Sequence, residues 1–228
     1  VSDEAIVAAF AALDAARGYI TLTYFEFGTL AAMHIFLQNN VDVAVLEVGI
    51  GGRLDAVNVF DADVAVVTTI ALDHQKWLGE TLEEIGAEKA GIFRQSQNAI
   101  ASSRQPPDSI HDAALRLGAR LHVLGEDFDA AVIDDSTWNW WGGEVQFDGL
   151  PVPPLVGAFQ LDNAAGAIAA LMQLPEALIP DRQAVVDGLR KTLLRGRFEC
   201  LKANPSLLVD VGHNAQAIGA LAVNLERA

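Results

Sequence analysis

The chain has 228 residues, a mass of 24.3 kDa and 51% hydrophobic residues, enough material and length to bury a globular core. Its 15 basic residues against 30 acidic ones leave a formal net charge of −15, which argues against nucleic acid or an anionic membrane as a partner, so an anionic ligand must be held by local features. The single cysteine, Cys200, excludes an internal disulfide and a Cys-x-x-Cys metal knuckle, and fits a reducing compartment. No run of about 18 apolar residues and no basic segment ahead of an apolar block is visible, so the cytoplasm is the expected location. The chain starts without Met and ends in a helical pattern that directly follows a strand, a unit that ordinarily feeds further sheet, so a piece of a longer protein is expected.

In chain order, Ser2 and Asp3 cap a pattern in which Ile6, Phe10 and Leu13 recur at helical spacing, which predicts an amphipathic helix over 3–16. A second helix is expected over 28–38, ended by "QNN". The runs "VDVAVLEV" (41–48) and "ADVAVVTTI" (62–70) are continuous, apolar and β-branched, the pattern of strands covered on both faces in a parallel sheet, and they flank a glycine-rich loop. Thr81 and Glu84 fit a Ser/Thr-x-x-Glu capping box, so a helix carrying Glu88 and Lys89 should run over 82–91. Short strands are expected at 98–102 and 120–124 around a helix at 109–118. The Trp- and Gly-rich stretch 128–150 predicts antiparallel hairpins, and "PVPP" (151–154) a rigid connector. Helices follow at 160–173 and 181–193, and strand character resumes within 193–214, with Arg195 to Arg197 as the candidate domain boundary. The class is α/β, with a largely parallel sheet flanked by helices.

The stretch "VLEVGIGGRLDAVN" (45–58) sets Glu47 at the end of a predicted buried strand, two residues before Gly49, Gly51 and Gly52. It is not a dinucleotide fingerprint, because Leu54 stands where the third glycine is needed, and the chain contains no Gly-Lys-Ser/Thr phosphate loop. What remains is a carboxylate at a strand end, where open α/β sheets place their ligands. "TTIALDHQKWLG" (68–79) repeats that geometry with Asp73 and His74. Oxygen-seeking magnesium suits Glu47 better than His74, and zinc or manganese fits the spacing equally well. Lys89 reads either as a solvated Glu/Lys face or, since "AGIF" follows, as a lysine drawn into apolar surroundings, where it can lose its proton and take up carbon dioxide as a carbamate. Later, Gln160 and Asn163 open an Ala-rich helix, where capping alone is a sufficient explanation for them. Arg195 and Arg197 flank Gly196, and Asp210, His213 and Asn214 stand at another strand end. The remaining histidines, His34, His111 and His122, carry no assigned chemistry.

Taken in order, "YFEFGTLAA", "LEVGIGGRLDAVN", "VVTTIALDH", "LGETLEEIGAEKAGIFR", "FQLDNAAGA", "RGRFE" and "DVGHN" resemble the folylpolyglutamate synthase and dihydrofolate synthase branch of the Mur ligase superfamily, most closely its bifunctional bacterial type. The resemblance implies a central ATP-binding ligase domain over 1–195, lacking its phosphate-loop segment, and the start of a Rossmann-like C-terminal domain over 196–228. It implies an ATP-dependent carboxylate–amine ligase that joins L-glutamate to dihydropteroate or to the terminal carboxylate of a folate through an acyl phosphate. The cofactors implied are ATP and one or two magnesium ions. By likeness, Glu47, His74 and a carbamylated Lys89 hold the metal, and Asn163, Arg197, Asp210 and His213 meet the nucleotide. The same likeness puts Thr23, Tyr24, Phe25, Glu26, Leu54, Asp55 and Ala56 beside the pterin. The partners are then small molecules, with no nucleic acid and no membrane, and the protein is a monomer. Without the phosphate loop, turnover by these 228 residues alone is not expected. Two other readings stay open: a UDP-muramoyl amino-acid ligase of the same superfamily, and a non-catalytic α/β scaffold.

Overall fold

The structure is a computed structural model that describes residues 1–227. Its contacts gather into two compact units, Val1–Asp61 and Ala62–Ala228.

The first unit pairs helix α1 (Asp3–Arg17) with helix α2 (Tyr24–Gln38). Ser2 accepts from the Ala5 amide and caps α1 as expected. Helix α2 starts four residues before the predicted position, because Thr23 and Glu26 form a capping box: the Thr23 hydroxyl accepts from the Glu26 amide and the Glu26 carboxylate from the Thr23 amide. Ala9, Ala31 and Ile35 are its buried apolar residues, with Phe10 and Phe27 edge to face at 5.3 Å. The predicted strand 41–48 does not form. Among the described residues nothing hydrogen-bonds to this run as a ladder, and Val45 is 89% exposed. A β-branched run becomes a strand only where a neighbour satisfies its amides and carbonyls and covers its faces.

The second unit contains the parallel sheet. β1 (Val64–Val67), β2 (Asn98–Ala101) and β3 (Arg120–Val123) pair in that order, Val66 opposite Ile100 and Ile100 opposite His122. Between β1 and β2 lie α3 (Gln75–Leu78), α4 (Leu82–Lys89) and a single 3₁₀ turn (Ala90–Ile92). Thr81 and Glu84 make the predicted capping box at α4. α5 (Asp108–Leu117) crosses from β2 to β3, and Gly118 ends it in the left-handed region at φ 61°. The Trp-rich stretch folds as the antiparallel sheet β4 (Phe128–Val132), β5 (Thr137–Gly142) and β6 (Val145–Pro151), as expected from its alternation. Pro151 is the last residue of β6, so the connector begins one residue later than predicted.

α6 (Phe159–Leu171) and α7 (Arg182–Lys191) cover these sheets. Ile100, Trp138, Trp140, Leu150, Ala165, Ile168, Val185 and Val186 share one core, while Ala65, Val67, Phe93, Ala99, Ile110 and Ala113 share another. β7 (Glu199–Ala203) and β8 (Ser206–Val209) form a separate hairpin ahead of α8 (Ala215–Arg227). The α/β class with a parallel sheet flanked by helices is therefore observed. Among the described residues no helix is long and apolar enough to cross a membrane.

Candidate active site

After β1 the chain runs through "TTIALD" to His74 at φ 49°, in the left-handed region that non-glycine residues seldom adopt and that carries backbone strain. Two features hold that conformation. The His74 carbonyl accepts from Trp77 and Leu78 at the start of α3, and its amide donates to Asp73 Oδ1 at 2.7 Å.

From 141 residues further on, Asn214 Nδ2 donates to Asp73 Oδ2 at 2.8 Å, so the loop before α8 is tied to the loop after β1. Asn214 also caps α8, accepting from the Ala217 amide. The His213 Nε2 atom lies 3.7 Å from Asp73 Oδ2, and its ring centroid 6.4 Å from that of His74. Hydrogen bonds from Asn214 and from the His74 backbone, with the charge of nearby imidazoles, hold the Asp73 carboxyl below the usual carboxylate range. Ligand-type atoms of Asp73, His74 and His213 all lie within 4.8 Å of one another.

Lys89, the last residue of α4, is half-buried and not part of a solvated face. Burial pushes its ammonium below the usual lysine range, and the charge of Asp73 opposes that shift. Of the residues predicted from sequence, His74, Lys89 and His213 thus share one neighbourhood around Asp73. The pairing of Asp73 with Asn214 had no local sequence signal beyond the position of each at a strand end.

The strand-end motif "DVGHN" is braced by its own backbone. Asp210 accepts from the Phe198 amide at 2.9 Å and the Gly212 amide at 2.7 Å, and the Val211 amide donates to the Gly196 carbonyl. Gly196 is buried at φ 71° with its amide on Glu199, while Arg197 beside it is exposed. Both oxygens of Asp210 are engaged, yet each keeps a lone pair for a further donor. Capping does not account for Gln160 and Asn163. They lie inside the first turns of α6, where Asn163 donates to Gln160 Oε1 at 3.1 Å and Gln160 is buried.

Within the first unit the glycine loop folds onto Asp55. That carboxylate accepts from Gly49 at 3.0 Å, Ile50 at 3.2 Å and Val57 at 2.9 Å, and it caps the 3₁₀ turn Ala56–Val59. The Phe25 ring lies against Gly49: a Cβ there would meet Phe25 Cζ and Asp55 Oδ2, each at 3.2 Å. Phe25 and Asp55 are brought together at Gly49, with Ala56 next in the chain, although Phe25 is exposed like Tyr24 and Leu54, and Thr23 and Glu26 serve the α2 cap. Glu47 is exposed and stands on irregular chain, not at the end of a strand.

A carboxylate kept ionised beside two imidazoles and a half-buried amine is the equipment of a centre that holds a cation and phosphate oxygens. The chain belongs to the Mur ligase family: residues 19–171 match its middle domain. Among relatives, the dihydrofolate synthase/folylpolyglutamate synthase of Escherichia coli (strain K12) is 44% identical over 215 residues, 94% of this chain and 49% of that protein. The folylpolyglutamate synthase of Lacticaseibacillus casei is 33% identical over 249 residues, 100% of this chain and 56% of that protein. An E. coli FolC solved in complex with DHPP and ADP matches with a TM-score of 0.92 at 43% identity, over 100% of this chain and 53% of that one. A bifunctional folylpolyglutamate synthase/dihydrofolate synthase with Mn, AMPPNP and L-glutamate bound matches with a TM-score of 0.89 at 44% identity, over 100% and 54%. The chain spans about half the length of these relatives.

Proposed function

We propose that the chain carries the middle part of an ATP-dependent ligase that adds L-glutamate to dihydropteroate and to folates. The observation that carries the reading is Lys89, half-buried and facing an ionised Asp73 next to His74, in a chain 44% identical to a dihydrofolate synthase/folylpolyglutamate synthase. The ligands bound by the solved relatives, DHPP with ADP in one and Mn, AMPPNP and L-glutamate in another, are the nucleotide, acceptor and donor such a reaction needs. ATP phosphorylates the acceptor carboxylate, and the amino group of glutamate displaces phosphate from the acyl phosphate.

Magnesium, when bound, neutralises charge on the phosphate oxygens, and the residues proposed to hold it are Glu47, His74 and Lys89 as a carbamate. The donor chemistry fits. An amine made easier to deprotonate by burial is the form that adds carbon dioxide, and the carbamate replaces a cation by oxygen ligands that a hard ion prefers. Asp73 orients this end of the site by accepting from the His74 amide and from Asn214. Arg197, exposed beside buried Gly196, is assigned to phosphate, Asp210 to the ribose, and Asn163 and His213 to the rest of the nucleotide. On the acceptor side, Thr23 to Glu26 and Leu54 to Ala56 face the pterin. In domain terms, residues 1–195 are assigned to the central domain and 196–228 to the start of the C-terminal one, in a cytoplasmic monomer.

The test is glutamate-dependent ADP release by the protein expressed with its flanking coding sequence, given dihydropteroate, a reduced folate or a UDP-muramoyl acceptor in turn. Turnover is expected with the first two, falling at least a hundredfold in kcat with Lys89→Ala, as expected when an electrostatic stabiliser is removed. Turnover with the muramoyl acceptor alone would overturn the folate assignment, and none with any acceptor would overturn the ligase.

A further inference from the structure

His213 is poised as a metal ligand by its own backbone. Its Nδ1 is 2.9 Å from the Val211 carbonyl, an atom that only accepts, so the ring proton sits on Nδ1 and the Nε2 lone pair is left free. That lone pair lies 3.7 Å from Asp73 Oδ2, too long for a hydrogen bond and close to the edge of about 3.3 Å between two ligands of a tetrahedral ion bonded at about 2.0–2.1 Å. His74 completes a triangle no wider than 4.8 Å, and Asn214 and the His74 amide fix the two oxygens of Asp73. A ligating imidazole whose other nitrogen is anchored on a carbonyl, beside a carboxylate that is itself hydrogen-bonded, is the support that metal ligands need.

We propose that Asp73, His74 and His213 bind a borderline divalent transition ion of the zinc class, with the fourth position left to water. Two nitrogens and one oxygen select such an ion over magnesium, which takes oxygen ligands. The site shares only His74 with the magnesium set assigned above, and it joins the loop after β1 to the segment that opens α8. The His213–Asp73 edge is already near the length such an ion needs, and His74 is exposed, so shortening the longest edge by up to about 1.5 Å needs only rotation of the His74 side chain, with the His213 anchor kept. The inference does not depend on the ligase reading.

The experiment is zinc titration of the metal-free 228-residue chain, followed by the ring nitrogen resonances of its histidines. One equivalent is expected to shift His74 and His213 together, leave His34, His111 and His122 in place, and raise the melting temperature. Calorimetry should show affinity weakened at least tenfold by His213→Ala and by Asn214→Ala, with wild-type binding surviving millimolar magnesium. The resonance measurement uses the unaltered chain, so it decides the matter even if a variant misfolds. Zinc shifting His74 without His213, shifting the other histidines instead, or being displaced by magnesium would each overturn the site. Those results leave glutamate-dependent ADP release untouched, and failure of that release leaves this site standing.

Discussion

In the second unit Trp138, Trp140, Ile100, Leu150, Ile168 and Val185 close around one another from two sheets and two helices, whereas in the first unit α1 and α2 meet over Ala9, Ala31 and Ile35. Burial scales with apolar area at about 25 cal/mol per Å², so the large side chains of the second unit supply most of the stabilisation, and the small ones of the first supply little. The catalytic candidates follow the same division. His74 and His213 are set by loops tied to each other through Asp73 and Asn214, and Lys89 by the end of α4, while Glu47 lies on exposed, irregular chain. A packed scaffold positions side chains, and local capping alone positions only backbone.

The strongest way to break this comparison is Trp140→Ala. Trp140 is 1% exposed, stacks on Phe147 at 5.7 Å and donates from Nε1 to the Ala165 carbonyl at 3.1 Å. Its removal leaves a cavity and takes one hydrogen bond from the Ala165 carbonyl, and should lower unfolding free energy by about 3–5 kcal/mol in denaturant titration. Ile35→Ala should leave the main transition in place and change only helical signals assigned to the first unit. Equal displacement of one transition by both variants would show that the two units fold as one.

Gly166 against Gly49 is a finer probe. A Cβ on Gly166, inside α6, would fall 2.7 Å from Ser102 Cβ, in a position fixed by the Ser102 hydroxyl donating to the Asp162 carbonyl at 2.9 Å. Gly166→Ala gains about 1 kcal/mol of helix propensity but overpacks a site that costs about 1–3 kcal/mol, so a net loss is expected, partly recovered by adding Ser102→Gly. At Gly49 a Cβ would meet only the Phe25 ring edge and the Asp55 carboxylate at 3.2 Å, side-chain atoms that can give way. Gly49→Ala should cost less than Gly166→Ala in the same melting experiment.

Sequence reached the second unit well for a physical reason. The capping box at Thr81 and Glu84, the alternation around Trp138 and Trp140 and the apolar run at 64–67 all have partners within the chain that satisfy them. The run 41–48 shares the apolar, β-branched character of 62–70 and fails to form a strand, because strand identity belongs to the pair and, among the described residues, the second run has a neighbour to pair with and the first does not. Helix α2 starts at Tyr24 and not at 28, because Thr23 and Glu26 carry the capping spacing and close the first turn ahead of the apolar pattern. At the site, Asp73, His74 and His213 were legible as strand-end residues. Their meeting across Asn214 was not, because no periodicity relates positions 141 residues apart.

Acid should separate the units by order of loss, with the smallest effect of the three. Hydrogen bonds from the Thr23 backbone and hydroxyl hold Glu26 below the usual glutamate value of 4.5, and those from Ser136 and Thr137 hold Asp134, in the turn between β4 and β5, at about 2 against an ordinary 3.8. Both folded values are depressed, so each carboxylate contributes stability above its unfolded value and loses it as pH falls through the folded one. The α2 cap therefore begins to weaken below 4.5, while the β4–β5 turn keeps its bonds from 3.8 down towards about 2. Amide exchange read residue by residue should show Thr23, whose amide donates to the Glu26 carboxylate, losing protection before Ser136 and Thr137. Asp134→Asn should flatten the acid response at Ser136 and leave that at Thr23 unchanged. Simultaneous loss at both places would mean that the first unit's cap is supported by the second unit's fold, and that the division drawn between them is too sharp.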